Sequence, residues 1–264
     1  MLFLYNYQTI VRFTQPVDAH FIKLRCLPCV NVCQKLLRDD FTLYPEMSVQ
    51  KSMDAFGNRI VVGSSLESHD SLIYISSGIA DLEEYCIPDI NPPAYYSIET
   101  AKTAYSAEMD AIHVDNYNDP WLTAWTLCTE LYKTMEYAPN STNVNTTAAE
   151  SFHIRKGVCQ DFAHILIALC RHRGIMARYV NGFIAGEGKT HGWVEVFVPS
   201  DDNYDAFQIK GVWRALDPTH GNYIDYGYIK LAHGRDADDC PVSRGIYTGP
   251  ALEQAEIRVI VNKV

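Results

Sequence analysis

Three residues far apart in the chain are of the types that nucleophilic attack on a carbonyl requires: Cys159, His191 and Asp217. Cys159 opens a run over residues 159–173 in which Phe162, Ile165, Leu166, Leu169 and Cys170 share one helical face, with Gly174 just beyond the end. Unpaired N–H groups and the helix dipole at such an N-terminus favour a thiolate, and the same donors can hold the oxyanion that a thiolate creates. His191 opens a strand in Thr190-His-Gly-Trp-Val-Glu-Val-Phe197, and Asp217 closes the next in Val212-Trp-Arg-Ala-Leu-Asp217, before Pro218-Thr-His220. Adjacent antiparallel strands would set the imidazole beside the carboxylate, which fixes the tautomer that lets the other ring nitrogen serve the thiol. Singly, each has an ordinary reading: a buried small hydrophobe, a satisfied histidine, and a turn aspartate whose loss would cost only ~1 kcal/mol. Their conjunction is what points to chemistry.

Lesser candidates surround them. Trp193, two residues after His191, shares its face of the strand and is expected to shield the imidazole, offer an indole N–H, or simply pack. Gln160 and Asp161 read as helix-start residues, Gln160 near the oxyanion and Asp161 as a structural carboxylate. Cys26, Cys29 and Cys33 have a spacing that thiolate zinc sites use, but no fourth ligand stands near them, so ordinary thiols are the expectation and no cofactor or metal is called for. Asn140-Ser-Thr142 has the glycosylation pattern, which matters only in an exported chain.

The elements that must position these residues fall into two groups. Residues 5–13, 21–27, 59–62 and 71–76 are short, alternating and rich in β-branched and aromatic side chains. Asp54-Ala-Phe-Gly-Asn58 supplies a turn, Gln15-Pro16 should break the first strand, and the prolines of residues 88–93 suggest an exit from the domain. Beyond them the period becomes helical. Asp119-Pro120 gives an N-cap and an N1 proline ahead of Trp121, Trp125, Cys128, Leu131, Tyr132 and Met135, and Thr147-Ala-Ala-Glu150 forms a capping box. After Gly174 the period returns to two over residues 178–184, 191–198 and 211–216. The expectation is an α+β protein with a β-sandwich over residues 1–110 and a catalytic core over 111–264, in which a helix bundle packs on an antiparallel sheet.

In order, Gly157-Val-Cys-Gln-Asp-Phe-Ala163, Thr190-His-Gly-Trp-Val-Glu-Val196 and Trp213-Arg-Ala-Leu-Asp-Pro-Thr219 resemble the core of bacterial transglutaminase-like proteins. Val17, Leu24-Arg25, Pro45 and Asp54–Asn58 are similar to the β-rich region that often precedes that core. The resemblance implies a papain-like fold with Cys159 as nucleophile, His191 as base and acid, and Asp217 as the orienting carboxylate. Some members also use a tryptophan oxyanion donor upstream, for which Trp121 and Trp125 are the candidates. One departure is Gly192, where many relatives carry alanine; it should loosen the strand locally.

Composition limits the function classes. Hydrophobic residues make up 47% and charged residues 20% of 264, enough for a large packed core. The net charge of −10 opposes binding to nucleic acid or an anionic membrane surface. Eight cysteines without an export signal at the N-terminus suggest free thiols and a cytoplasmic setting. The partner implied is a peptide or other amide-containing substrate, hydrolysed rather than cross-linked. The alternative is a catalytically silent binding module that retains the fold.

Overall fold

Strict alternation of apolar and polar residues produces one long strand, β1 (Leu2–Leu24), with Phe3, Tyr5, Tyr7, Thr9, Val11 and Phe13 turned inward. The computed structural model describes residues 1–115, 117–200 and 208–264. Strands β2 (Gln34–Tyr44), β3 (Ser48–Met53), β4 (Arg59–Ser65), β5 (His69–Leu82) and β6 (Cys86–Ile90) follow. Pro16 does not end β1. The register shifts on either side of it, and Ala19 at φ 46° lies in the left-handed region, so the strand swings from one sheet into another without stopping. Its first half pairs with β5, and its second half with β4, which continues to β3. The expected sandwich is thus a curled sheet whose two halves share β1.

Next come helix α1 (Pro120–Thr134), strand β7 (Glu136–Tyr137), helix α2 (Ala148–Ile154), strand β8 (Lys156–Gly157) and helix α3 (Cys159–His172). Asp119 Oδ1 caps α1 by accepting from Trp121 N at 2.8 Å, and the Thr147–Glu150 capping box forms. Trp125 and Tyr132, read as part of the apolar face of α1, are exposed; Ala124, Leu127, Cys128 and Leu131 carry its burial. Helix α3 is buried from Asp161 to Arg171 because it lies between the sheet and the other two helices.

The remaining strands are β9 (Ala177–Ile184), β10 (Gly186–Gly188), β11 (His191–Pro199), β12 (Lys210–Asp217), β13 (Asn222–Tyr223), β14 (Tyr228–Gly234), β15 (Ser243–Thr248) and β16 (Glu253–Lys263). A central antiparallel sheet runs β13-β12-β11-β9-β14, with β6 beside β12. Pro88 therefore sits in an edge strand, where its missing N–H is tolerated. Strands β15 and β16 return to β1, β16 pairing with it from Phe3 to Phe13. Sheet pairing crosses residue 110 in both directions, and a single hydrophobic core joins Tyr5, Tyr7 and Leu24 to Leu127, Leu166 and Val194. Among the described residues strand outweighs helix, with three α-helices and two short 3-10 turns against curled antiparallel sheets.

Candidate active site

Cys159 stands at the first residue of α3, held there from both sides. The parallel pair β7–β8 fixes Lys156 and Gly157 just before it. Asp161 Oδ2 reaches back to accept from Val158 N at 2.8 Å and from Thr142 Oγ1 at 2.6 Å. Gly157 is required by this packing, since a Cβ there would lie 2.6 Å from Asp161 Cβ and 2.8 Å from Ser151 Oγ. Asp161 and Phe162 donate to the Val158 carbonyl, whereas no carbonyl among the described residues takes the N–H of Cys159 or Gln160. Two donors therefore remain at the half-buried thiol.

His191 begins β11 and Asp217 ends β12, in the register Val194↔Leu216 that sets Asp217 diagonally across from His191 on one face. His191 Nε2 and Asp217 Oδ2 are 2.7 Å apart, which leaves Nδ1 for the sulfur of Cys159. Burial pulls the imidazole's proton affinity down. The hydrogen bonds to Asp217 and to Cys159, with the charges of both, outweigh it and raise the ring to about 10. Asp217 is fully buried, yet its carboxyl is held well below the usual range because burial is overcome by hydrogen bonds from His191 and His220, the imidazole's charge, and the Tyr228 hydroxyl. The structure thus brings Cys159, His191 and Asp217 to one place.

Two partners of Asp217 were not anticipated. His220 Nδ1 and the Tyr228 hydroxyl each lie 2.7 Å from the Oδ2 atom that His191 uses, while Oδ1 accepts from Thr219 N at 2.9 Å. His220 closes the Asp-Pro-Thr-His turn, and a turn that brings residue i+3 back to residue i was the available signal. Tyr228 comes from β14, across the sheet, and nothing local announces it.

Trp193 is fully buried, with its ring 6.4 Å from that of His191 at 26°. Its Nε1 donates inward to the Tyr85 hydroxyl at 3.4 Å, so it screens the imidazole and offers no N–H to a substrate. Gln160 directs its side-chain amide at the Val144 carbonyl, 3.5 Å away. Behind Trp193 lies a buried ion cluster. Glu195 bonds Arg178, directly opposite on β9, Lys230 Nζ at 2.6 and 2.8 Å, and the Tyr85 hydroxyl at 2.5 Å. Burial pushes the Glu195 carboxyl up, but Arg178 and Lys230 bring it down to about 2.

Trp121 and Trp125 line a separate cleft of about 510 Å³ with Arg214, Tyr223 and Tyr226. The Arg214 guanidinium lies 3.9 Å from the Trp121 ring centre, and Trp125 meets Tyr223 edge-on. Cys29 and Cys33 hydrogen-bond Asn31, and Cys26, just past the end of β1, is fully buried. Burial raises these thiols to about 11 for Cys29 and Cys33 and about 12 for Cys26, and among the described residues they do not gather into a ligand set.

Comparison with known sequences settles the family. Residues 109–218 match the transglutaminase-like superfamily, and residues 4–81 match the bacterial transglutaminase-like N-terminal region. The chain belongs to the transglutaminase-like superfamily. Cys159, His191 and Asp217 all fall inside the matched core. This transglutaminase-like chain is 23% identical to the uncharacterized protein ML0607 of Mycobacterium leprae over 96% of its own length and 95% of that protein. It is 34% identical to the uncharacterized protein Mb2599c of Mycobacterium bovis over 51% of its length, an alignment that spans 45% of the relative. Its fold is that of a solved structure described as a "Putative Cysteine Protease" from Cytophaga hutchinsonii, with TM-score 0.73, 18% identity, and coverage of 100% of this chain and 93% of that one.

Proposed function

We propose that this protein is a cysteine-dependent enzyme that opens an amide or related acyl bond through a thioester on Cys159. The observation that carries the reading is the line from Asp217 through His191 to the thiol at the N-terminus of α3. With Nε2 bound to Asp217, the imidazolium can hold the thiol's proton at Nδ1 and leave a thiolate beside it. Attack on the carbonyl carbon forms the C–S bond, and the oxyanion meets the N–H groups of Cys159 and Gln160. His191 then gives its proton to the leaving nitrogen, so that the C–N bond breaks and the acyl-enzyme remains. A water deprotonated by His191 attacks the thioester, releasing the acid and returning the proton to sulfur.

Peptide or amide hydrolysis is the favoured outcome, because water needs no second binding site whereas an amine acceptor does. A cytoplasmic setting is part of the same proposal. No helix among the described residues is long and apolar enough to cross a membrane. The test is to incubate the protein with a peptide and amide library and seek the acyl adduct on Cys159 by intact mass and peptide mapping, with and without added amine. Acylation of Cys159 followed by release of free acid supports the hydrolase. Release only as an amide makes it a transferase. Absence of any adduct across the library, with undiminished binding of some component, favours the silent binding module.

A further inference from the structure

The protein has a half-exposed second imidazole on its candidate orienting carboxylate. His191 Nε2, His220 Nδ1 and Asp217 Oδ2 all lie within 4.8 Å of one another, the only such set of three His, Cys, Asp or Glu ligand atoms among the described residues. Asp217 is fully buried, His191 is 10% exposed, and His220 is 51% exposed on the turn that follows β12. Two imidazoles and a carboxylate are the ligand chemistry of a three-residue zinc site that leaves its fourth position to water.

We propose that His191, Asp217 and His220 form a reversible site for zinc, and that its occupancy switches the enzyme off. The regulatory half of this rests on the function proposed above; the binding half does not.

The geometry requires a small adjustment. Bonds of about 2.0–2.2 Å to one tetrahedral ion place its ligand atoms roughly 3.4 Å apart. The two nitrogen-to-oxygen distances must therefore widen from 2.7 Å, and the imidazoles must close on each other from ring centres 5.5 Å apart. His220 can supply most of that movement, because half its side chain faces solvent. Solvent there also provides the fourth ligand. The Tyr228 hydroxyl, already 2.7 Å from Asp217 Oδ2, continues to support the carboxylate from behind.

The proton inventory explains the inhibition. Each imidazole must be deprotonated at the nitrogen that binds the ion, so the protons shared with Asp217 are released to solvent. A zinc ion on His191 Nε2 leaves the ring's remaining proton on Nδ1. That nitrogen then faces Cys159 as a donor with no lone pair: it can give up its proton only by becoming an imidazolate, and while it keeps that proton the ring cannot deprotonate the water that resolves the acyl-enzyme. Zinc would stop turnover at the proton transfers without touching the sulfur. The competing arrangement, in which zinc bridges Cys159 and His191, makes the opposite prediction for a variant lacking the thiol.

The experiment uses the full chain and zinc alone, with calorimetric titration of wild type and of Cys159→Ala, His220→Ala, His220→Gln and Cys29→Ser. Wild type, Cys159→Ala and Cys29→Ser should bind one ion with affinities within a few-fold of each other. Both His220 variants should bind at least 10–100-fold more weakly, the loss that even an outer partner of a metal ligand causes, with thermal melts confirming that they fold. In parallel, zinc should suppress steady-state hydrolysis of p-nitrophenyl acetate by wild type while iodoacetamide still alkylates Cys159, and the suppression should vanish in His220→Gln. Loss of binding in Cys159→Ala, or unchanged binding in both His220 variants, overturns the site. Failure to bind zinc at micromolar free ion overturns it as well. Zinc bound through His220 with no change in turnover retains the site and overturns the switch.

Discussion

The Tyr179 hydroxyl occupies the space that a side chain on Gly192 would fill: a Cβ at residue 192 would stand 2.4 Å from that oxygen and 3.0 Å from the ring carbon bearing it. The glycine between His191 and Trp193 is therefore matched to a tyrosine on the paired strand. It does not loosen the strand, which holds its register with β9 from His191 to Val196. Gly192→Ala should destabilise the protein by about 1–3 kcal/mol, as overpacking of a filled core does. Tyr179→Phe in the same chain should recover part of the loss, since the closest atom is then gone. Equal melting temperatures for the single and double variants would show that the contact is not the cause.

Cys159 should react with iodoacetamide before any other cysteine at neutral pH. Burial raises Cys26 to about 12, Cys29 and Cys33 to about 11 and Cys170 to about 12, and it raises Cys128 and Cys240 well above the ordinary range. Timed alkylation with peptide mapping reads the order directly. Several cysteines labelled at one rate, with Cys159 among the slowest, would remove the nucleophile from the proposal.

Asp217→Asn should lower kcat by part of the 10²–10⁴-fold range of general acid–base catalysis while KM moves little, because the amide no longer anchors the imidazolium. The cost to the fold should exceed that of an ordinary turn residue. Asp217 is fully buried and accepts from four groups, and removing an ionised acceptor strands its donors. Steady-state rates, paired with melts run below the transition, separate the two effects. Full kcat in the folded variant would exclude Asp217 from the reaction.

Stability should fall on the alkaline side. The folded protein raises His191 from its ordinary 6.5 to about 10, so the stabilisation is complete below 6.5 and is lost as pH climbs through the folded value. For Asp217 the sign reverses: its contribution holds above the ordinary 3.8 and declines as pH drops toward its depressed value. The two are one pair and should not be counted twice. Melts of wild type and His191→Gln between pH 5 and 10 test this, and an equal alkaline slope in both would refute it.

Glu195→Gln should cost about 3–5 kcal/mol, because it leaves Arg178 and Lys230 buried without their anion. Denaturant unfolding measures it. A loss below 1 kcal/mol would mean that Tyr85 and the backbone already satisfy both cations.

Much of this was legible in the sequence because the signals were local. The cap at Asp119, the Thr147–Glu150 box and the apolar face of α3 each depend on residues within a few positions of one another. The Cys159–His191–Asp217 grouping could be proposed because three motifs in that order resemble the family's core and because His191 and Asp217 fall at the ends of neighbouring strand patterns. What escaped was non-local. Pro16 and Pro88 look like breakers until it is known that one lies where a strand changes sheet and the other on an edge. Tyr228 and Lys230 reach their carboxylates from β14, and no spacing along the chain foretells it.

Pairing of Phe3–Phe13 with Glu253–Lys263 joins segments separated by almost the whole chain. Closing so long a loop is slow relative to local helix formation, so α1, α2 and α3 should gain structure well before β1 acquires its second neighbour. During synthesis, β1 waits with an unpaired flank until residues 253–263 leave the ribosome. A chain that stops before residue 253 keeps that flank open, a template for intermolecular strand pairing, and should aggregate more than the chain that reaches residue 264.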